Sequence, residues 1–354
     1  MGEKFLMKGN EALAEAAIMA GCRNFFGYPI TPQTELAAYM AKRMPKVGGT
    51  FLQAESEVAA INMVYGASAT GKRVMTSSSS PGISLKSEGI SYLAGADLPA
   101  LIVNVQRGGP GLGGIQPAQA DYFQATHGPG HGDFRLLVFA PSTIQEVVDT
   151  VFLAFEKADE YRMPAMILAD GILGQMMEPV EFPEHAEVKK FEKPWATDRT
   201  MGKRDRNIVN SLFLQPDELE RYNFERFARY DKIIETEQRW EEFMLDDAEY
   251  IVVAYGASAR IAKNAIRLAR QKGIKAGLIR PITLWPFPEK ILKEKAKTAK
   301  AFISAELSMG QMMNDIKLAI ECARPVYLAN RVGGMVYTPD EIVAVIEKAM
   351  GGSN

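Results

Sequence analysis

Residues 25–35 read Phe-Phe-Gly-Tyr-Pro-Ile-Thr-Pro-Gln-Thr-Glu, a short apolar strand that stops at Gly27-Tyr28-Pro29 and turns directly into a helix. Pro29 and Pro32 stiffen this connection, because each fixes its own φ and holds the preceding residue extended. The pattern predicts Thr31 as the N-cap and Pro32 as the first helical residue. Open α/β folds receive anionic ligands at such a strand-to-helix junction, although a well-capped helix alone also explains these residues.

The same alternation of apolar strands and amphipathic helices continues to about residue 175, which predicts a parallel α/β sheet. The predicted helices cover 10–20, 32–42, 56–68, 83–93 and 143–157, and the predicted strands cover 24–28, 73–76, 100–105, 136–139 and 165–168. A glycine-rich loop, 107–117, follows the strand 100–105. Loops of this length without regular structure are usually functional or disordered.

The pattern then changes twice along the chain. Residues 179–246 combine prolines with charged stretches, which predicts a connector ending in a long, mostly solvated charged helix over 216–246. A second α/β unit follows, with predicted strands at 250–255, 276–280, 301–306 and 326–329 and predicted helices at 256–272 and 310–322. We therefore expect three segments, 1–178, 179–246 and 247–354.

Composition is that of an ordinary soluble globular protein, with 354 residues, 47% hydrophobic and 24% charged. The net charge of −2 comes from interspersed acidic and basic residues, which argues against nucleic acid or an anionic membrane as the main partner. No apolar run approaches a membrane span, and the N-terminus has no signal-peptide pattern, so we expect a cytoplasmic protein. Two cysteines, Cys22 and Cys322, are too few for an iron–sulfur cluster encoded by this chain.

Three positions could carry chemistry. Glu57 begins an alanine-rich helix and is followed by apolar residues, so its carboxylate could lie in a buried interface, although a surface position is the ordinary expectation. Arg107 ends a strand and precedes Gly108 and Gly109, which leaves its guanidinium free for a carboxylate or for a nearby acidic side chain. His127 and His131 are separated by glycines and a proline that exclude a helical metal site, so we predict no metal ligands there.

Four motifs follow one another along the chain: Tyr28-Pro-Ile-Thr-Pro32, Glu55-Ser-Glu-Val-Ala-Ala60, Thr76-Ser-Ser-Ser-Ser-Pro-Gly82 and Gln106-Arg-Gly-Gly-Pro110. Together they resemble the pyrimidine-domain (alpha-type) subunit of the thiamine-diphosphate-dependent 2-oxoacid:ferredoxin oxidoreductases. The second unit, through Arg280-Pro-Ile-Thr-Leu-Trp-Pro-Phe-Pro288, resembles the transketolase-C-like domain of the same subunit. The resemblance implies an α/β thiamine-diphosphate-binding fold followed by a transketolase-C-like α/β domain.

The resemblance also implies roles for individual residues. Glu57 matches the glutamate that bonds the aminopyrimidine ring of thiamine, and it fits that role better than Glu55. Thr31 matches the threonine near the oxo and carboxylate oxygens of the substrate, and Arg107 matches the arginine that holds the substrate carboxylate. The remaining residues expected to line the pyrimidine pocket are Tyr28, Pro29, Ser79, Ser80, Pro81 and Gly82.

Family members bind the diphosphate and Mg²⁺ with a Gly-Asp-Gly motif, whereas the nearest string here is Ala169-Asp170-Gly171. This chain is thus expected to supply half of the thiamine diphosphate site and to be inactive alone. Partner subunits would supply the diphosphate half with Mg²⁺, the iron–sulfur clusters of a ferredoxin-like subunit, and a gamma-type domain.

The implied reaction is oxidative decarboxylation of a 2-oxoacid with coenzyme A to acyl-CoA and CO₂, with the electrons passing to ferredoxin. The loop 108–119 resembles the branched-chain (2-oxoisovalerate) type, and Leu112 and Ile115 would suit an aliphatic tail. A 2-oxoglutarate enzyme would need a further cation, for which Lys86, His127 or His131 are the candidates. A non-catalytic scaffold subunit and a self-contained thiamine decarboxylase are the competing hypotheses for the chain as a whole.

Overall fold

The computed structural model describes residues 3–183, 188–198 and 203–351. Residues 1–2, at the N-terminus where no signal peptide is predicted, and residues 184–187 and 199–202, in the predicted connector, lie outside the described residues, as do 352–354. None of the described helices is both long enough and apolar enough to cross a membrane.

Strands and helices alternate along most of the described chain. The strands are β1 Lys4–Lys8, β2 Asn24–Gly27, β3 Thr50–Gln53, β4 Val74–Ser78, β5 Leu101–Gln106, β6 Leu137–Phe139, β7 Ala165–Asp170, β8 Met177–Glu181, β9 Trp240–Phe243, β10 Tyr250–Val253, β11 Ala276–Pro281, β12 Thr283–Trp285, β13 Ala301–Glu306 and β14 Val326–Asn330. The helices are α1 Gly9–Met19, α2 Thr34–Arg43, α3 Glu57–Ala69, α4 Ser80–Gly95, α5 Tyr122–Thr126, α6 Ile144–Tyr161, α7 Gly171–Gln175, α8 Pro216–Thr236, α9 Gly256–Gln271, α10 Glu289–Ala296, α11 Gln311–Ala319 and α12 Pro339–Gly351.

The larger sheet has seven strands in the order β3-β2-β4-β5-β7-β6-β12, parallel except for β12. Its central strands β4, β5 and β7 are buried along their whole length, as expected for a parallel sheet covered on both faces by helices. A smaller sheet, β14-β13-β10-β11-β9, forms the second unit, and β1 pairs with β8 in a separate two-stranded ribbon. The predicted parallel α/β architecture is confirmed.

The predicted N-cap at Thr31 is wrong. Helix α2 begins at Thr34, and Gln33 occupies the N-cap position. The segment before it is held by side chains from elsewhere, since Arg107 donates to the Thr31 carbonyl and Asn10 Nδ2 donates to the Pro32 carbonyl at 2.8 Å. In a helix starting at Pro32, these two carbonyl groups would instead point along the helix axis and accept intrahelical hydrogen bonds.

The predicted helix over 216–246 is also wrong after residue 236. Helix α8 ends at Thr236, and β9 then pairs antiparallel with β11. The sequence pattern predicts Glu241 in a charged helix. Its carboxylate instead accepts hydrogen bonds from Arg280 Nε and Lys263 Nζ, each at 2.6 Å. Neutralisation by these cations stabilises an acidic residue in an edge strand.

The two α/β units meet around the fully buried side chain of Gln119, in the segment after the glycine-rich loop. Its Nε2 donates to the Tyr255 carbonyl at 3.0 Å, and its Oε1 accepts from Ser258 Oγ at 2.7 Å and from the Leu307 backbone N–H at 3.0 Å. Every polar atom of this amide is therefore used in joining the second unit to the loop that follows Arg107.

Candidate active site

The candidate site lies at the carboxyl edge of the large sheet. Neighbouring parallel strands end there, so β2 delivers Tyr28, β4 delivers Ser79 and β5 delivers Arg107 to one region. This edge is where open α/β sheets bind ligands. Tyr28 is half-buried and Pro29 is exposed, so this turn forms an outer wall of the region.

Arg107 and Thr31 are brought into direct contact. The buried Arg107 guanidinium donates from Nη1 to the Thr31 carbonyl at 3.0 Å and from Nη2 to the Leu112 carbonyl at 3.1 Å. Its Nε is buried and has no hydrogen-bond partner among the described residues. The Thr31 side chain is exposed beside it, so a cation and a hydroxyl lie together at the mouth of the site.

A hydrogen-bond network of Ser80, Asp121 and Asn104 holds the backbone of Arg107. Ser80 Oγ accepts from the Arg107 backbone N–H at 3.0 Å and donates to Asp121 Oδ2 at 2.6 Å. Asn104 Nδ2 donates to the same Asp121 oxygen at 2.9 Å. Burial raises the pKa of the Asp121 carboxyl, while the bonds from Ser80 and Asn104 and the charge of Arg107 oppose that rise. Fixed hydrogen bonds of this kind hold the loop that starts at Arg107 in one position.

Glu57 is the first residue of α3, whose N-cap is Ser56: the Ala59 N–H donates to Ser56 Oγ at 3.1 Å. The Glu57 side chain is 7% exposed, whereas Glu55 is exposed to solvent. The buried position distinguishes Glu57 from its neighbour as the carboxylate that can face a ligand.

Glycine at position 82 is required by the approach of two polar side chains. A Cβ atom there would lie 2.1 Å from Ser78 Oγ and 3.0 Å from Glu57 Oε1. Helix α4 begins at Ser80, three residues before the predicted start at 83, and Pro81 lies in its first turn. Glu57, Ser78 and the start of α4 thus converge on one point.

Several polar atoms in the segments around this point have no hydrogen-bond partner within the described part of the chain. Ser78 Oγ, Ser79 Oγ and Arg107 Nε are buried without hydrogen-bond partners among the described residues. Buried polar atoms are normally bonded, so these three atoms are available to a ligand or to ordered water. A carboxylate, two hydroxyls and the cradle at Gly82 fit the aminopyrimidine ring of thiamine, which presents both donors and acceptors.

Asp170, the closest approach in this chain to the diphosphate motif, has a structural use. Its carboxylate caps α7 by accepting from the backbone N–H groups of Ile172 at 2.9 Å and Leu173 at 3.0 Å. Within the described ranges, no group of three or more His, Cys, Asp or Glu side chains is arranged to hold a metal ion.

The remaining predicted residues lie around the rim of the site or apart from it. Leu112 and Ile115 are 83% and 57% exposed on the glycine-rich loop. His127 is exposed and lies 3.6 Å from the Asp315 carboxylate, and His131 contacts Ser91 Oγ at 3.3 Å. The structure therefore brings together Thr31, Arg107, Glu57 and the Ser78–Gly82 segment, and it leaves the two histidines on the surface.

Sequence reasoning missed the supporting residues Asn104 and Asp121, and it considered Lys86 only as a cation for a substrate. Asn104 carries a recognisable signal, because it is a polar residue inside the apolar strand β5. Asp121 lies in a loop and Lys86 in a helix, where charged residues ordinarily face water, so their burial leaves no trace in the pattern.

Comparison with known proteins agrees with this geometry. Residues 15–242 match the family described as pyruvate flavodoxin/ferredoxin oxidoreductase, thiamine diP-bdg, and residues 248–342 match pyruvate:ferredoxin oxidoreductase core domain II. The chain is 52% identical to ketoisovalerate oxidoreductase subunit VorB of Methanothermobacter marburgensis, with 99% of each chain covered. It is 36% identical to 2-oxoglutarate synthase subunit KorA of the same organism, over 99% of this chain and 100% of that one.

A solved structure of a related enzyme has the same fold. The chain superposes with a TM-score of 0.87 and 26% identity on 2-oxoglutarate:ferredoxin oxidoreductase from Magnetococcus marinus, solved with 2-oxoglutarate, coenzyme A and succinyl-CoA bound. The match covers 99% of this chain, which spans 66% of that longer chain. The chain therefore belongs to the pyruvate flavodoxin/ferredoxin oxidoreductase family and contains its thiamine-diphosphate-binding domain and its core domain II.

Proposed function

We propose that this chain is the pyrimidine-binding subunit of a 2-oxoacid:ferredoxin oxidoreductase that acts on branched-chain 2-oxoacids such as 2-oxoisovalerate. The observation that carries the proposal is the approach of the buried Glu57 carboxylate and the unpaired Ser78 hydroxyl to Gly82, next to Ser80, whose hydroxyl bonds the Arg107 backbone N–H. A scaffold subunit would gain nothing from buried polar atoms without partners, since each costs free energy.

Each residue has a role in this proposal. Bound thiamine diphosphate supplies the carbon nucleophile and the electron sink for decarboxylation of a 2-oxoacid. Glu57 bonds the aminopyrimidine ring nitrogen and holds or releases the proton there, while Ser79, Ser80, Pro81 and Gly82 line the ring pocket with Tyr28 and Pro29. Arg107 binds the substrate carboxylate with the guanidinium donors that the two carbonyls leave free, and Thr31 bonds the neighbouring substrate oxygens.

The preference for a branched-chain substrate is supported by the relatives and by the loop. The identity to the ketoisovalerate subunit is 52%, compared with 36% to the 2-oxoglutarate subunit. Leu112 and Ile115 give the rim of the site an apolar surface that suits an aliphatic tail. Lys86, one of the cations that a 2-oxoglutarate enzyme could use, is fully buried and bonded to Thr76.

Partner subunits and three chain segments complete the proposal. The diphosphate half of the cofactor site with Mg²⁺, the iron–sulfur clusters and a gamma-type domain belong to partner subunits, and the complex acts in the cytoplasm with coenzyme A and ferredoxin. The proposed segments are 1–178, 179–246 and 247–354, namely the pyrimidine-binding domain, the connector and the transketolase-C-like domain.

The test is to tag the chain in its native cell and purify it without oxygen. The material is then assayed for viologen reduction that depends on a 2-oxoacid and on coenzyme A, with 2-oxoisovalerate, 2-oxoglutarate and pyruvate compared. We expect co-purified thiamine- and cluster-bearing subunits and the highest kcat/KM with 2-oxoisovalerate. Highest kcat/KM with 2-oxoglutarate would correct the substrate. Purification without partners or turnover would favour a scaffold, and turnover by the isolated chain would favour a self-contained decarboxylase.

A further inference from the structure

Lys86 is a lysine with no exposed surface, and none of the roles assigned in the pyrimidine site involves it. It lies in the middle of α4, and its Nζ donates one hydrogen bond, to Thr76 Oγ1 of β4 at 3.0 Å. Lysine is almost never fully buried unless it is paired, because removing an ammonium from water costs several kcal/mol in real proteins. One neutral hydroxyl does not compensate for that cost, so a further partner is required.

The packing of α3 on α4 points to Glu57, the acidic group whose charge acts on Lys86, although no direct hydrogen bond or ion pair joins the two side chains among the described residues. A Cβ on Gly82 would lie 3.0 Å from Glu57 Oε1, and a Cβ on Gly89 would lie 2.4 Å from Ile61 Cγ2. Residues 82, 86 and 89 share one face of α4, as 57 and 61 share one face of α3. Lys86 therefore stands between two contacts that both involve α3.

Strand β4 also indicates that Lys86 lies near Glu57. Thr76 and Ser78 point to the same face of the strand, and Ser78 Oγ lies against Gly82 while Thr76 Oγ1 binds Lys86. Helical side chains lean toward the N-terminus of their helix, so Lys86 leans toward Gly82 and the Glu57 carboxylate. Burial lowers the pKa of Lys86 to about 8, and the negative charge of Glu57 acts in the opposite direction.

We propose that Lys86 is a positioning residue for Glu57, whose ammonium group is the buried countercharge that stabilises the Glu57 carboxylate at the pyrimidine pocket. The inference rests on the proposed function, in which Glu57 bonds the ring nitrogen of the cofactor. When Glu57 gives its proton to that nitrogen, the carboxylate that remains is stabilised by Lys86. Without the ammonium, the negative charge on Glu57 lies in a buried site with no countercharge, and the ring is less activated.

The test uses the assembled complex loaded with thiamine diphosphate. Its readouts are the dissociation constant of the cofactor, the rate at which the thiazolium C2 hydrogen exchanges with deuterium after mixing with D₂O, and the melting temperature. Lys86→Met fills a similar volume without charge, and Lys86→Gln is a second neutral variant that can still bond Thr76. Thr76→Val keeps the charge and removes its hydroxyl partner. Gly89→Ala disturbs the same helix contact without changing a charge.

We expect both neutral variants to slow C2 exchange at least about tenfold. Their melting temperature should fall, because the buried Glu57 carboxylate loses its countercharge. Thr76→Val should slow exchange less, since the ammonium remains. Gly89→Ala should lower the melting temperature and leave the exchange rate of the folded complex unchanged. Normal exchange in both neutral variants would overturn the inference. An equal slowing of exchange by Gly89→Ala would also overturn it, because the effect would then come from helix packing and not from the charge of Lys86.

Glu57→Gln separates a failure of this inference from a failure of the proposed function. If Glu57→Gln abolishes C2 exchange and the Lys86 variants do not change it, the role of Glu57 stands and only the inference about Lys86 fails. If Glu57→Gln exchanges normally, the proposed role of Glu57 itself fails. In the double variant Glu57→Gln/Lys86→Met, we expect no loss beyond that of Glu57→Gln, because the countercharge has nothing left to stabilise.

Discussion

Arg107 Nη1 donates a hydrogen bond to the carbonyl oxygen of Thr31 at 3.0 Å, and this bond joins the turn after β2 to the loop after β5. The two segments are 76 residues apart in sequence. Because the guanidinium is rigid and planar, fixing one of its edges on backbone carbonyls also fixes the direction of its remaining donors. The site is thus organised before any substrate arrives.

Replacing Arg107 should therefore impair substrate binding specifically. In the assembled complex we expect Arg107→Met to lower kcat/KM for the 2-oxoacid by about 10- to 100-fold, the range for loss of a charge-assisted hydrogen bond. Arg107→Lys keeps the charge but cannot hold both the Thr31 and the Leu112 carbonyls, so it should recover only part of the loss. Steady-state kinetics checks this, and an unchanged kcat/KM in both variants would exclude carboxylate binding by Arg107.

Glu57 and Glu55 form a matched pair of variants. Glu57→Gln keeps the shape of a buried side chain and removes its capacity to release a proton, so turnover should fall by about 10²- to 10⁴-fold. Glu55→Gln changes an exposed residue two positions away and should leave turnover and stability unchanged. Rates are measured as viologen reduction by the complex. Equal effects of the two substitutions would contradict the assignment of Glu57.

The cradle at Gly82 offers a test of the pyrimidine pocket. Gly82→Ala would put a Cβ 2.1 Å from Ser78 Oγ and 3.0 Å from Glu57 Oε1, so both side chains must move. We expect affinity for thiamine diphosphate to fall about 10- to 100-fold, the equivalent of a moderate overpacking cost. Gly66→Ala is the control in α3, because a Cβ there meets nothing within 4 Å. Isothermal titration of the complex with the cofactor distinguishes them.

The pKa of Lys86 predicts an unusual dependence of stability on pH. It is about 8 in the folded chain, against an ordinary value of 10.5, so the unfolded chain binds more protons between these two values. The free energy of unfolding should rise as pH increases from about 8 to 10.5, by up to about 3 kcal/mol from this group, and the cost should be constant below pH 8. Urea unfolding of the purified chain across this range, compared with Lys86→Met, checks it, because the variant should lack the increase.

Gln119 predicts how strongly the two units depend on each other. Gln119→Ala removes its bonds to Tyr255, Ser258 and the Leu307 N–H and leaves these buried groups unpaired, so we expect a loss of about 2–4 kcal/mol in the free energy of unfolding. Gln271→Ala, at the exposed end of α9, should change it by less than about 0.5 kcal/mol. A normal stability for Gln119→Ala would show that the interface depends on apolar contacts instead.

The parts of the structure that were predicted correctly are those with strong local periodicity. Strand β5 and helices α1 and α6 read clearly because their apolar residues repeat at the spacing of one element. Strand β3 was missed because Thr50–Gln53 is short and mostly exposed, with only two apolar residues. Local patterns also failed at Thr31 and at Glu241, where bonds from Arg107 and Arg280 override the local preference.

The residues of the site also differ in how far the sequence could predict them. Motif order pointed to Thr31, Glu57 and Arg107, and whether these residues have the expected roles stays a prediction. The burial of Lys86 could not be predicted, because its neighbours in α4 resemble those of a surface lysine and its partners Thr76 and Glu57 come from other elements. Such information exists only once the helices and strands have packed.

Strand β12 comes from the second unit and pairs antiparallel with β6 at the border of the large sheet. A fragment ending before this strand would expose the backbone N–H and C=O groups along the free side of β6. Bare strands of this kind recruit strands from other molecules and promote aggregation. The second unit thus protects the edge of the sheet in the first unit. If the gene is divided between the two units, the fragment that lacks β12 should be insoluble.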